Sequence, residues 1–194
     1  MFREVFDEHA QVFESTVSSQ MPALEEAARL AEHCLRADGK ILIFGNGGSA
    51  ADAQHFAAEL VGRFEMNRHA LPALALTVNT STLTAVANDY GFDHDFSRQV
   101  EGLGRAGDLA IAISTSGNSP NVVKAAQVAR ELGCKVVGLT GKGGGLLAEH
   151  CDALIAIPAK TVARIQEMHE ICLHALAWWL ERRLFAEAGK EDGS

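Results

Sequence analysis

KILIFGNGGSAADAQHFAAEL, residues 40–60, decides the fold. Lys40–Phe44 is an apolar run of strand length, and Gly45–Ser49 interrupts it with glycines just where a helical pattern begins. Glycine tolerates positive φ and lets the backbone approach a ligand closely. A helix N-terminus presents unpaired N–H groups and a partial positive charge. A strand, a glycine-rich turn and a helix start therefore make a ready anion site. The spacing Gly45, Gly47, Ala50 also fits the dinucleotide fingerprint GxGxxA. That fingerprint asks for an acidic residue at the end of the next strand. Here that strand ends in Leu76-Thr77-Val78-Asn79, which has no acid, so a nicotinamide cofactor is set aside.

Outward from this stretch, further strand-length apolar runs lie at Ala73–Leu76, Leu109–Ile113, Lys135–Leu139 and Ala153–Ile157. The segments 49–64, 80–102, 119–132 and 145–150 read as helices or helix pairs, and a last helix runs from about Val162 to Phe185. Strands alternating with helices imply right-handed βαβ units. The expectation is an α/β, doubly wound, five-stranded parallel sheet of flavodoxin-like type. Residues 3–37 read as two helices, because Val5, Phe6, Val12 and Phe13, then Leu24, Ala28, Leu30 and Cys34, recur at helical spacing. This N-terminal helical hairpin is expected to pack against another subunit. The whole of 1–194 reads as one domain, with 1–37 as an oligomer interface, 38–186 as the α/β core, and the tail AGKEDGS frayed.

The 194 residues carry a net charge of −8, with 47% hydrophobic and 22% charged residues. That balance suits a globular protein and disfavours nucleic acid or an anionic membrane as partner. No apolar run reaches the ~20 residues of a membrane span. MFREVFDEHA lacks the apolar stretch of a signal peptide. Cys34, Cys134, Cys151 and Cys172 form no CxxC pair and read as reduced thiols, which points to the cytoplasm.

A second loop, Ser114-Thr115-Ser116-Gly117-Asn118-Ser119-Pro120, follows the third strand. Ser119 suits an N-cap and Pro120 suits the first helical position. Capping alone does not require three hydroxyls at 114–116, whereas neutral donors suit a phosphate in a site without lysine. Asn88 and Asp89 also fall near a strand's carboxyl end, where ligands of open α/β sheets bind. Thr140–Gly145 lacks Walker A spacing and reads as a turn. On the helix after the first loop, His55 and Glu59 stand one turn apart on one face. They can serve as two metal ligands, as an acid–base pair, or as a plain surface pair. In the last helix Gln166, His169 and His174 are polar among apolar residues and need partners; His169 reads as a core histidine.

GNGGSAADAQHFAAEL, LPALAL, TAVANDYGFDHDFSRQV, GDLAIAISTSGNSPNVVKA and RIQEMH…H, in that order, resemble the sugar isomerase (SIS) family, and within it the bacterial phosphoheptose isomerases. The resemblance spans about residues 38–185. It implies conversion of sedoheptulose 7-phosphate to D-glycero-D-manno-heptose 7-phosphate through an enediol(ate), the first step of activated-heptose biosynthesis. It implies substrate contacts at Asn46, Gly47, Gly48, Glu59, Asn88, Asp89, Ser114, Thr115, Ser116, Ser119 and Gln166. It implies acid–base roles for Glu59 and His174, and one zinc ion per subunit on His55, Glu59, Gln166 and His174. It also implies a homotetramer with shared active sites. Gln166 and His174 lie about 12 Å apart along a continuous helix, a strained span for one ion. Either Gln166 sits at an irregular helix start, or the two ligands come from different subunits. Two alternatives stand beside the enzyme: a non-catalytic SIS protein that binds the replication initiator, and an isomerase of another sugar phosphate.

Overall fold

The computed structural model describes residues 1–185. The expectation of a frayed AGKEDGS tail lies outside the described residues. Five strands form one parallel sheet: β1 (Ile41–Gly45), β2 (Ala73–Ala75), β3 (Leu109–Ser114), β4 (Lys135–Gly141) and β5 (Ala153–Ile157), in the order β2-β1-β3-β4-β5. The order reverses direction between β1 and β3, so the loops leaving these two strands flank the crevice of an open α/β sheet.

Strand alternation sorts the core into two layers. Ile41 and Ile43 point into one layer, with Ile111, Ile113 and Leu139. Leu42 and Phe44 point into the other, with Ala110, Ala112 and Val136. Helices cover both faces, which is why the central strands read as unbroken apolar runs. On the first face lie α1 (Phe2–Arg36), α2 (Gly48–Val61) and the last helix, Val162–Phe185. On the second lie α4 (Asp95–Leu103) and α5 (Pro120–Glu131); α3 (Thr80–Tyr90) precedes α4. The expected 80–102 segment divides at Gly91, whose φ is 91°, and a 3₁₀ turn, Phe92–His94, joins the two helices. The expected helix at 145–150 is likewise a 3₁₀ turn. The last helix, α6, keeps its expected bounds.

The N-terminal hairpin is not formed. Residues 2–36 make one α-helix of 35 residues with Pro22 inside it. Proline there removes one backbone bond, to Ser18, but no glycine or turn residue follows to redirect the chain. The polar stretch Glu14–Gln20 is mostly the exposed face of this helix rather than a connection. Half of the segment is covered by its own chain and half is not. Ala27, Ala28, Ala31, Cys34 and Leu35 are buried, chiefly against α6 and β5. Phe2, Phe6, Phe13 and Val17 are exposed.

Gly117 explains why the third loop matters. Its φ is 68°, and a Cβ there would run into the carbonyl of Gly144 and stand 2.9 Å from Gly145 N. Thr140–Gly145 is therefore a turn, as expected, but one that buttresses the second loop. Gly117→Ala is expected to cost at least about 2–3 kcal/mol, because neither backbone can yield. Gly143 has φ 93° but open space around it, so Gly143→Ala should cost only about 1 kcal/mol. Thermal unfolding of the two variants checks the difference.

Candidate active site

The first loop turns at Gly47, with φ 59°, and α2 begins at Gly48. Gln166 of α6 lies directly over this start, since a Cβ at Gly48 would meet the Gln166 side-chain amide. Opposite stands the second loop. Ser119 occupies the N-cap of α5 and Pro120 its first position, as expected, but the Ser119 hydroxyl makes no capping bond. It turns instead to Ser114 Oγ, 2.9 Å away. Ser116 Oγ accepts from the Asn118 N–H at 3.1 Å and shapes the loop. The two loops are tied by a reciprocal amide pair, Asn46 and Asn121, with both N–H···O contacts at 2.9 Å. Asn121 is 1% exposed and was not visible as a site residue in the sequence. Its signal is its place at the second residue of the helix that the second loop opens.

Asn46, Gly47 and Gly48 face Ser114, Thr115 and Ser119 across a cleft of about 290 Å³, closed by Gln166. No lysine or arginine lines it among the described residues. Backbone N–H groups and hydroxyls there can hold a phosphate without a cationic side chain. Asn88 and Asp89 do not join the cleft. They sit in the last turn of α3, exposed, with Asn88 Nδ2 donating to Asp89 Oδ1 at 2.7 Å.

Two turns further along α2 and α6 lies the ionisable end. His55 stands between two carboxylates: its Nε2 is 3.0 Å from Glu59 Oε1 and its Nδ1 is 3.1 Å from Glu170 Oε1. His174 Nε2 is 3.3 Å from His55 Nε2 and 3.2 Å from Glu170 Oε1. The Phe64 ring backs His174, with 5.4 Å between centroids. Ligand atoms of His55, Glu170 and His174 all lie within 4.8 Å of one another, a donor set able to hold a metal ion. Asp52 lies one turn before His55. Burial, then the negative Glu170, pushes its carboxyl up to about 6, against the opposing pull of His55.

Gln166 is not in this cluster. It is the fifth residue of a regular helix, which removes the irregular-start explanation for its distance from His174. Glu170 was not singled out in the sequence, although it stands one helical turn from both. His169 is the core residue expected. It is 0% exposed, its Nε2 is 3.1 Å from Thr140 O, and burial pushes it down to about 4. All four cysteines are free thiols, and three are buried.

A buried ion pair holds Glu59 in place. Arg68 and Glu181 side chains are 1% and 0% exposed and meet at 2.9 Å. Arg68 also donates to the carbonyls of Glu59 and Leu60, both at 2.8 Å, and so closes the C-terminus of α2. Glu181 accepts from the backbone N–H groups of Phe64, Glu65 and Met66. No local pattern marks this pair, whose members are 113 residues apart.

Among known protein families, the SIS domain matches residues 4–141, which includes α1 and stops before α6. The phosphoheptose isomerase of Rhodospirillum rubrum is 58% identical over 163 residues, covering 84% of this chain and 87% of that protein. The phosphoheptose isomerase of Aliarcobacter butzleri is 50% identical over 176 residues, covering 91% and 93%. The solved phosphoheptose isomerase of Neisseria gonorrhoeae superposes with a TM-score of 0.89 at 46% identity, over 93% of this chain and 96% of that one.

Proposed function

The chain belongs to the SIS-domain family, and within it to the phosphoheptose isomerases, and from that premise we propose that it interconverts sedoheptulose 7-phosphate and D-glycero-D-manno-heptose 7-phosphate. The observation that carries the reading is a two-ended site: a phosphate-type cleft at one end of paired helices and an acid–base cluster at the other. Gly48 and His55 are seven residues apart on α2, or about 10 Å along the axis. With single bonds of about 1.5 Å, an extended seven-carbon sugar spans on the order of 9 Å from phosphorus to C2. A five-carbon sugar falls short of that separation.

The phosphate is held by the N–H groups of Asn46–Gly48 and the hydroxyls of Ser114, Thr115 and Ser119, with Gln166 against the sugar. Glu59 takes a proton from C1 of the ketose. The electron pair closes the C1=C2 bond, and the carbonyl oxygen at C2 becomes an enediolate oxygen. Return of the proton to C2 and loss of the O1 proton leave the aldehyde at C1. His174 moves the proton between the two oxygens. Two imidazoles with a carboxylate are the donor types zinc takes. When bound, zinc supplies positive charge for the developing enediolate. We assign one ion per subunit, with His55 and His174 among its ligands. Dialysis against a chelator is expected to abolish turnover, and zinc to restore it; turnover indifferent to both would remove the metal.

The exposed apolar half of α1 supports 1–37 as an oligomer interface of the single domain, and a homotetramer as the assembly. Asn88 and Asp89, outside the cleft of their own protomer, are assigned to a neighbour's site. No helix among the described residues is long and apolar enough to cross a membrane; a cytoplasmic location rests on the free thiols. The test is a panel of five-, six- and seven-carbon ketose phosphates. We expect the highest kcat/KM on the seven-carbon substrate. Stoichiometric binding of the replication initiator without turnover of any member would reverse the assignment.

A further inference from the structure

We propose that Arg164 is a positioning residue for Gln166: it ties the start of α6 to the first turns of α1, and so sets how deeply the Gln166 amide stands over the phosphate cleft. The role rests on the reading of Gln166 as a contact of the sugar phosphate. Arg164 is the third residue of α6, whose first turn carries no acid. A cation there opposes the helix dipole. Its side chain is nonetheless only 8% exposed, and its Nε is buried with no hydrogen-bond partner. Helix stability does not account for a residue that local physics disfavours in these ways, and such conflicts collect at functional sites.

What holds Arg164 is α1. One arm of the guanidinium, Nη1, donates to Val5 O at 2.8 Å, and the other, Nη2, pairs with Glu167 Oε1. Glu167 Oε2 stands 2.7 Å from His9 Nδ1. Glu8 lies 3.6 Å from Arg164 and accepts from Thr161 Oγ1 at 3.4 Å. Residues 2–11 are exposed except for His9, which is partly so. Among the described residues these are their hydrogen bonds and ion pairs to the rest of the chain. Arg164 lies about 200° round the helix from Gln166, on the side away from the cleft. Gln166 packs against Gly48 and Ile165 against Gly141, each where a Cβ would collide. The first turn of α6 is thus set between two glycines and α1, and the α1 side is fixed by directional polar bonds. A side-chain amide about 6 Å from the helix axis moves on the order of 1 Å for each 10° of rotation, and a misplacement of that size weakens a site markedly.

The test is a double-mutant cycle on the zinc-saturated full chain. It is read by kcat and KM for sedoheptulose 7-phosphate and by the Kd from titration calorimetry, which needs no turnover. Arg164→Met keeps the bulk of the side chain and loses both bonds. It is expected to raise KM and Kd by about 10-fold, with kcat within about 3-fold. In a Gln166→Ala background the same substitution should change KM and Kd by less than about 2-fold, because its target is gone. A merely structural role would give the same factor in both backgrounds. Glu167→Ala, at a partly exposed residue where folding is not at stake, should raise KM and Kd several-fold and guards against loss of folding as the cause. Equal factors in the two backgrounds would overturn the proposal, as would unchanged KM and Kd in both Arg164→Met and Glu167→Ala. A wild type that neither binds nor turns over this sugar would remove the functional reading itself, and the role of Arg164 with it.

Discussion

Glu59→Gln is expected to lower kcat for sedoheptulose 7-phosphate by roughly 10²–10⁴-fold, the usual contribution of a general base, with KM and thermal stability little changed. The amide keeps the shape of the side chain and can still meet His55, but it cannot take a proton from carbon. Glu59 is partly exposed and lies in the last turn of α2, so the substitution leaves no cavity and no buried orphan. A fall in kcat without a matching rise in KM separates loss of chemistry from loss of binding. Near-wild-type turnover would remove Glu59 from the role of base.

Glu181→Ala is expected to destabilise the fold by about 3–5 kcal/mol, because it strands the fully buried Arg68. It also orphans the N–H groups of Phe64, Glu65 and Met66. Buried ion pairs can often be replaced by apolar residues at little cost. This one cannot, since a double replacement with Leu and Met leaves those backbone donors unpaired. Activity should fall further than stability explains, because Arg68 fixes the carbonyl of Glu59 itself. The pH dependence has a definite sign. Burial raises the Glu181 pKa, but the three backbone donors and Arg68 together hold it below its ordinary 4.5. Its contribution is therefore present above that pH and is lost as pH falls through the lower folded value. Chemical denaturation across acid pH should show a shallower loss of stability in Glu181→Ala than in the wild type.

What the sequence made legible follows from the range of the interactions. The strands and the two ligand loops are local patterns, and β5 and α6 keep their expected bounds. His55 and Glu59 share a face because of helical spacing alone. The hairpin does not form because two sets of apolar positions at helical spacing, Val5–Phe13 and Leu24–Cys34, are equally compatible with one continuous helix. Ser119 was read correctly by position and incompletely by chemistry: its hydroxyl bonds to Ser114, on a strand, rather than to its own helix. Asn121 with Asn46, and Arg68 with Glu181, are contacts between distant segments that no local pattern encodes. Glu170 lay in plain view at the right spacing, but its importance depends on α2 and α6 lying side by side, which only the fold supplies.

The most direct test of the two-ended site is the fate of hydrogen when the zinc-loaded chain turns over sedoheptulose 7-phosphate in D₂O, followed by NMR. Solvent deuterium should enter C2 of the aldose product, and its rate of entry should fall with kcat in Glu59→Gln. An aldose whose C2 hydrogen comes entirely from the substrate's C1, through repeated turnover, would contradict proton transfer through an enediolate at Glu59.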